Sequence, residues 1–180
     1  RNMAQGVLAV LVSNHYGVLT RVSSLFGRKG FNIRSISAGE TENPAFTRIT
    51  IIATGDPFQF EQMRLQLEKL EDVKQVQIIP SDRLVSREMM LVKIHQPTAG
   101  FTELTTRYDA KEMDHRESCS VWTVTGTPEE LDRFLQEAAG HGILESCRTG
   151  AAAMEMGIHT LIPISCRTGA AAMEMGIHTL

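Results

Sequence analysis

Residues 7–26, VLAVLVSNHYGVLTRVSSLF, change periodicity in mid-run, and that change decides the fold. Val7, Leu8, Val10, Leu11 and Val12 form a near-continuous apolar run, the pattern of a central strand covered on at least one face. From Gly17 onward the apolar positions are Val18, Leu19, Val22, Leu25 and Phe26, spaced as one stripe of a helix. Gly30 is placed to end that helix, because a glycine after the final turn supplies a left-handed cap while Arg28 and Lys29 complement the dipole. A strand that feeds straight into an amphipathic helix calls for a sheet with helices packed on it.

Outward from that core, Asn32 to Ala38 alternates, and after the turn signal Glu42-Asn43-Pro44 a second run follows from Phe46 to Thr54, so the two read as a hairpin. Ile49, Ile51 and Ala53 share the face expected to carry helices. Asp56-Pro57, with Gln59 at the third helical position, is a helix start; Phe60, Met63, Leu67 and Leu70 form its buried stripe, and Val73 to Ile79 is the closing strand. The order is βαββαβ. Ser81-Asp82-Arg83 reads as linker, and the same rhythm then returns less regularly. Met89 to Ile94 is a strand, and Phe101, Leu104 and Tyr108 hold a short helix. Cys119 to Thr125 is a strand that turns either Val121, Thr123 and Thr125 or Trp122 and Val124 inward. Thr127-Pro128-Glu129-Glu130 is a capping box for a helix burying Leu131, Phe134, Leu135 and Ala138, and Ile143 to Cys147 is the final strand. The fold class is therefore α+β, two tandem ferredoxin-like (βαββαβ) sandwiches.

The 180 residues suit one ordinary domain or two small ones, and 42% hydrophobic with 22% charged residues argues against disorder and against a membrane protein. The longest apolar run, Val7 to Val12, falls far short of the roughly 20 residues of a spanning helix. No basic and apolar leader is evident, so a cytoplasmic protein is expected. A net charge of −3 lacks the basic excess of a nucleic-acid binder. Cys119, Cys147 and Cys166 have neither Cys-x-x-Cys nor zinc-ligand spacing and read as free thiols, with no metal site expected.

Ser146 to Leu161, SCRTGAAAMEMGIHTL, recurs letter for letter as Ser165 to Leu180, with only Ile162, Pro163 and Ile164 between. So short and perfect a copy is a recent duplication or an artefact rather than a solenoid, and the second copy is excluded from the fold. Arg1-Asn2 ahead of Met3 reads as two residues added before a native start.

Chemistry concentrates at Ser13-Asn14-His15-Tyr16-Gly17. This turn brings an Asn side chain and a glycine backbone to a helix N-terminus, whose free N–H groups and positive dipole attract a carboxylate. An α-amino acid suits such a place, since the Asn14 amide can accept from an ammonium group. The plainer alternative makes Asn14 or Ser13 an N-cap and Gly17 a turn residue.

Asn14-x-x-Gly17-Val18-Leu19-x-Arg21-Val22 and Leu25-Phe26-x-x-x-Gly30-Phe31-Asn32-Ile33 resemble the opening of the ACT domain in the small, regulatory subunit of acetolactate synthase (acetohydroxyacid synthase). Arg48-Ile49-Thr50-Ile51, Leu70-Glu71-Asp72-Val73, Arg87 to Ile94 (REMMLVKI) and Cys147-Arg148-Thr149-Gly150 agree in order, and the block at Arg87 lies outside the generic ACT pattern.

The resemblance implies an ACT domain over 4–80, a linker over 81–86, a C-terminal ferredoxin-like domain over 87–150 and a tail, 151–180, outside the family's pattern. It implies a non-catalytic subunit that activates a catalytic large subunit and confers feedback inhibition by valine, leucine or isoleucine in branched-chain amino acid biosynthesis. This chain would hold no cofactor, the partner carrying thiamine diphosphate, Mg and FAD. The implied effector site lies between two chains of a homodimer, with Asn14, His15, Tyr16, Gly17 and Val18 on one chain and Asn32 and Ile33 of the partner subunit. In it His15 and Tyr16 give shape rather than contacts.

A tandem ACT sensor serving another pathway is the alternative reading. The βαββαβ fold also hosts acylphosphatase, but the loop after the first strand lacks the arginine that chemistry needs, and no nucleophile set is evident. RNA binding would call for stacking aromatics on the central strands, which carry mainly Ile and Val.

Overall fold

The computed structural model describes residues 3–95 and 97–161. The residues ahead of Met3, the second copy of the repeat and Cys166 lie outside that range, and so do the expectations that concern them. The chain divides into two compact units, one formed by residues up to Leu84 together with those from Met154 onward, the other by Val85–Ala153.

The first unit contains β1 (Ala4–Ser13), α1 (Val18–Lys29), β2 (Asn32–Glu40), β3 (Phe46–Gly55), α2 (Pro57–Glu68) and β4 (Val73–Ile79). Its antiparallel sheet has the order β2-β3-β1-β4, the split βαββαβ arrangement, with β1 central and β2 and β4 at the edges. Leu8, Val10 and Val12 of β1 and Ile49, Ile51 and Ala53 of β3 meet Val18, Val22, Leu25 and Phe26 of α1 and Phe60, Met63 and Leu67 of α2 in one core. Val7, Ala9 and Leu11 point to the other face and are buried too, which is why the run is continuous instead of alternating.

Gly30 caps α1 in the left-handed conformation, its N–H donating to the Phe26 carbonyl. Leu19 departs from the expected stripe and is 48% exposed. One residue past Val18 it lies about 100° further round the helix, off the core-facing line. Asp56 accepts from the Gln59 backbone N–H at 2.8 Å while the Gln59 side chain accepts from the Asp56 N–H at 2.9 Å, completing the capping box of α2. Gly6 is fixed by packing, for a Cβ there would come within 2.5 Å of the Phe60 ring.

The second unit runs through β5 (Leu84–His95), α3 (Ala99–Arg107), β6 (Lys111–His115), β7 (Cys119–Gly126), α4 (Pro128–Ala138), β8 (Ile143–Arg148) and β9 (Ala152–Glu155). Its sheet has the order β6-β7-β5-β8, with β9 also pairing β5. Met90, Val92 and Ile94 pack with Phe101, Leu104, Val124, Leu131, Phe134 and Ala138. Trp122 leans on this core edge-to-face with Phe101, so Trp122 and Val124 are the inward pair of β7.

Three features differ from the sequence expectation. β6 was not anticipated: Lys111, Glu112, Met113 and His115 are all exposed on an edge strand, whose charges discourage further pairing and erase the apolar alternation. The linker expected over 81–86 contracts to a 3-10 turn at Ser81–Arg83, with β5 starting at Leu84. The chain also does not leave the fold at Gly150. Gly150 takes a φ of 80°, Ala151 is buried, and β9 follows with Ala153 buried, a strand hidden in sequence because alanine is a weak strand marker.

Candidate functional site

The loop between β1 and α1 is held at its start by two backbone hydrogen bonds. The Ser13 N–H donates to the Asp72 carbonyl at 2.8 Å, and the Asn14 N–H to the Ala45 carbonyl at 2.9 Å. Gly17 occupies the N-cap position of α1 with φ 78° and ψ 0°, and no side chain caps the helix. The left-handed backbone is one that glycine adopts without the steric cost of a Cβ. No acidic side chain stands in the first turn, so the helix presents its N–H groups and positive dipole end without a local carboxylate.

Asn14 therefore does not cap α1. Its Nδ2 donates to Glu40 Oε1 at 3.1 Å and to the Pro44 carbonyl at 3.0 Å, and its Oδ1 accepts from Thr47 Oγ1 at 3.2 Å. The side chain braces the β2–β3 turn against the loop, and the second lone pair of Oδ1 remains for another donor. His15 Nδ1 lies 3.2 Å from Asp72 Oδ1, and Arg21 pairs with the other oxygen of the same carboxylate. The Arg21 hydrogen bond, assisted by that of His15, holds the Asp72 carboxyl below its ordinary value. Arg21 thus faces solvent on one side and pairs on the other. Beside these groups is a depression of about 520 Å³ lined by Ser13, His15, Arg21, Leu70, Asp72 and Lys74 among others.

Tyr16 is fully exposed. Val18 is buried in the core, as its place in the helical stripe requires, so of this residue only backbone is available to a ligand. Asn32 is exposed at the start of β2, and Ile33 is partly buried against the core. The structure does not bring these two to the loop within one chain. Asn14 bonds to Ala45, next to the first residue of β3, whereas Asn32 pairs with Thr54, next to its last. At 3.3–3.4 Å per residue the two ends of β3 are separated by about 30 Å.

Glu40, Pro44, Thr47 and Asp72 complete the site, and sequence reasoning gave them no role. Asp72 stands within a quoted block, but its partners are 51 and 57 residues away, and no local pattern reports such pairings. A second cavity of about 510 Å³ in this unit is lined by Leu11, Phe46, Arg48, Gln77, Met154 and Leu161 among others. Burial lowers the Arg48 guanidinium from its ordinary value, opposed by the Glu42 carboxylate. Among the described residues no cluster of His, Cys, Asp and Glu could hold a metal ion, and no helix is long and apolar enough to cross a membrane.

A βαββαβ unit with an uncapped helix N-terminus after its first strand, followed by a second such unit, defines a tandem α+β protein of two ferredoxin-like domains. Residues 8–75 match the AHAS small subunit-like ACT domain, and residues 87–157 match the small subunit of acetolactate synthase. The chain belongs to the acetolactate synthase small-subunit family. It is 38% identical over 159 residues to the probable acetolactate synthase small subunit of Methanothermobacter thermautotrophicus, covering 86% of this chain and 95% of that one. To the acetolactate synthase small subunit of Mycolicibacterium smegmatis it is 37% identical over 153 residues, covering 83% and 90%. The crystal structure of the Thermotoga maritima small subunit superposes with a TM-score of 0.80 at 31% identity, covering 87% of this chain and 99% of that one. The match at 87–157 runs through β9, so that strand belongs to the family's pattern.

Proposed function

We propose that this chain is the regulatory subunit of an acetolactate synthase in branched-chain amino acid biosynthesis. It binds and activates a catalytic large subunit carrying thiamine diphosphate, Mg and FAD, and makes that subunit subject to feedback inhibition by valine, leucine or isoleucine. The chain contributes no catalytic residue and works in the cytoplasm as a homodimer.

The observation that carries the site is the opposition of Asn14 and Asn32 across the sheet. β2 is an edge strand that starts at Asn32 and ends at Glu40, and Glu40 accepts from Asn14. Antiparallel pairing of β2 with the same strand of a second copy, about a two-fold axis, sets the beginning of one β2 beside the end of the other. Asn32 and Ile33 of the partner subunit then stand over the Asn14–Gly17 loop, and the two-fold makes two such sites. The amides at the start of α1 take the ligand's carboxylate, and the free lone pair of Asn14 Oδ1 takes its ammonium group. The exposed part of Ile33 of the partner subunit, with neighbouring aliphatics, favours a branched apolar side chain. Feedback follows if the ligand-bound dimer holds the catalytic subunit in a less active arrangement, since an effector shifts an equilibrium only through differential affinity.

The test is calorimetric titration with valine, leucine and isoleucine, with serine and phenylalanine as controls, alongside reconstitution with a catalytic subunit. Gly17→Asp places charge and bulk where the carboxylate sits, so the reconstituted complex should stay active and lose its inhibition by valine. Full inhibition of that variant would refute the site.

A further inference from the structure

The face of the first sheet turned away from α1 and α2 meets a segment of its own unit, residues 154–161. Glu155 accepts from Gln77 of β4 and pairs with Arg83 at 3.4 Å, the Met156 N–H donates to the Arg83 carbonyl at 2.7 Å, and Leu161 is buried. The cavity of about 510 Å³ lies between this segment and the sheet. Leu11 and Phe46 line it from the strands and Leu161 from the covering segment, which gives it apolar walls. Arg48 stands among them, and strand register explains its place. It pairs with Leu11 of β1 on one side and Gly39 of β2 on the other, so the three share one face, and Gly39 brings no side chain to the row. Arg48 is the one arginine or lysine among the described lining residues.

We propose that this cavity binds an apolar monocarboxylate, a medium-chain aliphatic acid whose carboxylate lies on the Arg48 guanidinium and whose chain lies along Leu11, Phe46 and Leu161. The planar fork of arginine takes both oxygens of a carboxylate at once, and apolar walls around one charged anchor suit an amphipathic acid. Burial of the guanidinium outweighs the attraction of the Glu42 carboxylate, and an incoming anion offsets that cost. The other charges of the lining narrow the ligand further. Glu40, Glu42 and Glu155 stand in the same wall, and together they repel a dianion such as a phosphate. Glu40 already accepts from Asn14, and Glu155 from Gln77 beside its pairing with Arg83, so neither is left to hold a ligand's cation. The site lies within one chain and does not rest on the effector reading, which places its ligand between two.

Isothermal titration of the full chain with octanoate tests this, with octanamide as the uncharged analogue. Octanoate should bind saturably with a Kd below about 1 mM, and octanamide should bind at least about tenfold more weakly. Arg48→Met keeps an apolar stem and removes the charge, so the octanoate Kd should rise roughly ten- to 150-fold. Arg48→Lys keeps the charge without the fork and should stay within about tenfold of the intact chain. Circular dichroism in urea checks that both variants fold; if Arg48→Met does not, Arg48→Lys and octanamide carry the comparison. Gly17→Asp, which disables the proposed effector site, should bind octanoate as the intact chain does, so this site and that one fail separately. Hydrogen exchange locates the ligand: octanoate should slow exchange at residues 46–48 and 156–161. No saturable binding, equal affinity for octanamide, loss of binding in Gly17→Asp, or protection confined to other residues would overturn the proposal.

Discussion

Asn14→Ala separates a residue that contacts a ligand from one that only shapes the loop. Its side chain makes three hydrogen bonds, to Glu40, Pro44 and Thr47, all at exposed positions where water can replace the lost partners. Each is worth about 0.5–1.5 kcal/mol at most, so the variant should lose about 1–2 kcal/mol of stability in urea. The larger effect belongs to affinity. If Oδ1 accepts from the effector's ammonium, removing a hydrogen bond to a charged group costs about 1.5–3 kcal/mol, a loss of roughly ten- to 150-fold in the valine Kd. Thr47→Val is the control, because it removes the donor to Oδ1 and leaves the oxygen in place. It should cost about 0.5–1 kcal/mol of stability and change the valine Kd by no more than about threefold. Isothermal titration at matched protein concentration reads both constants. An unchanged Kd in Asn14→Ala, or an equal loss in Thr47→Val, would remove Asn14 from the contact set and leave it a brace for the β2–β3 turn.

Gly6→Ala drives a methyl group into the Phe60 ring at 2.5 Å, and overpacking of this kind should cost about 1–3 kcal/mol, read as a fall in the denaturant midpoint without a change in slope. Thr127→Ala removes the acceptor for the Glu130 N–H at 3.2 Å and half of the α4 capping box, which should cost about 0.5–2 kcal/mol in the unfolding followed by Trp122. Asp72 is held below its ordinary value in the folded chain, so its contribution is fully present above the unfolded carboxylate pKa of about 3.9 and is lost as pH falls through the lower folded value. Wild type should accordingly be more stable than Asp72→Asn at pH 7, and the gap should close below about pH 4; a gap independent of pH would contradict the Arg21 and His15 pairing.

What the sequence disclosed and what it hid follow one physical line. Elements with a strong apolar signal were legible: β1 is a continuous apolar run, and α1, α2 and α4 each pair an apolar stripe with a cap that local chemistry dictates, from Gly30 to the Asp56–Gln59 and Thr127–Glu130 boxes. β6 and β9 were hidden because one is a charged edge and the other is largely alanine, and neither advertises a period of two. At the site, local sequence marked the loop and Gly17, whose left-handed φ the residue type itself permits. It could not show that Asn14 is already engaged by Glu40, Pro44 and Thr47, since those partners are 26 to 33 residues away and are set by the register of β2 on β3.

That register also limits what a single chain can do. The loop at Asn14 and the strand start at Asn32 lie about 30 Å apart along β3, farther than any free amino acid can span. A ligand held by both must be held by two chains, and linkage then requires that it tighten the pairing of those chains by the factor by which pairing tightens its own binding. The valine Kd should therefore rise on dilution below the dimer dissociation constant, and saturating valine should move the dimer–monomer midpoint in sedimentation to lower protein concentration. A valine affinity independent of protein concentration through that range would place the whole site within one chain, and Asn32 and Ile33 would have no part in it.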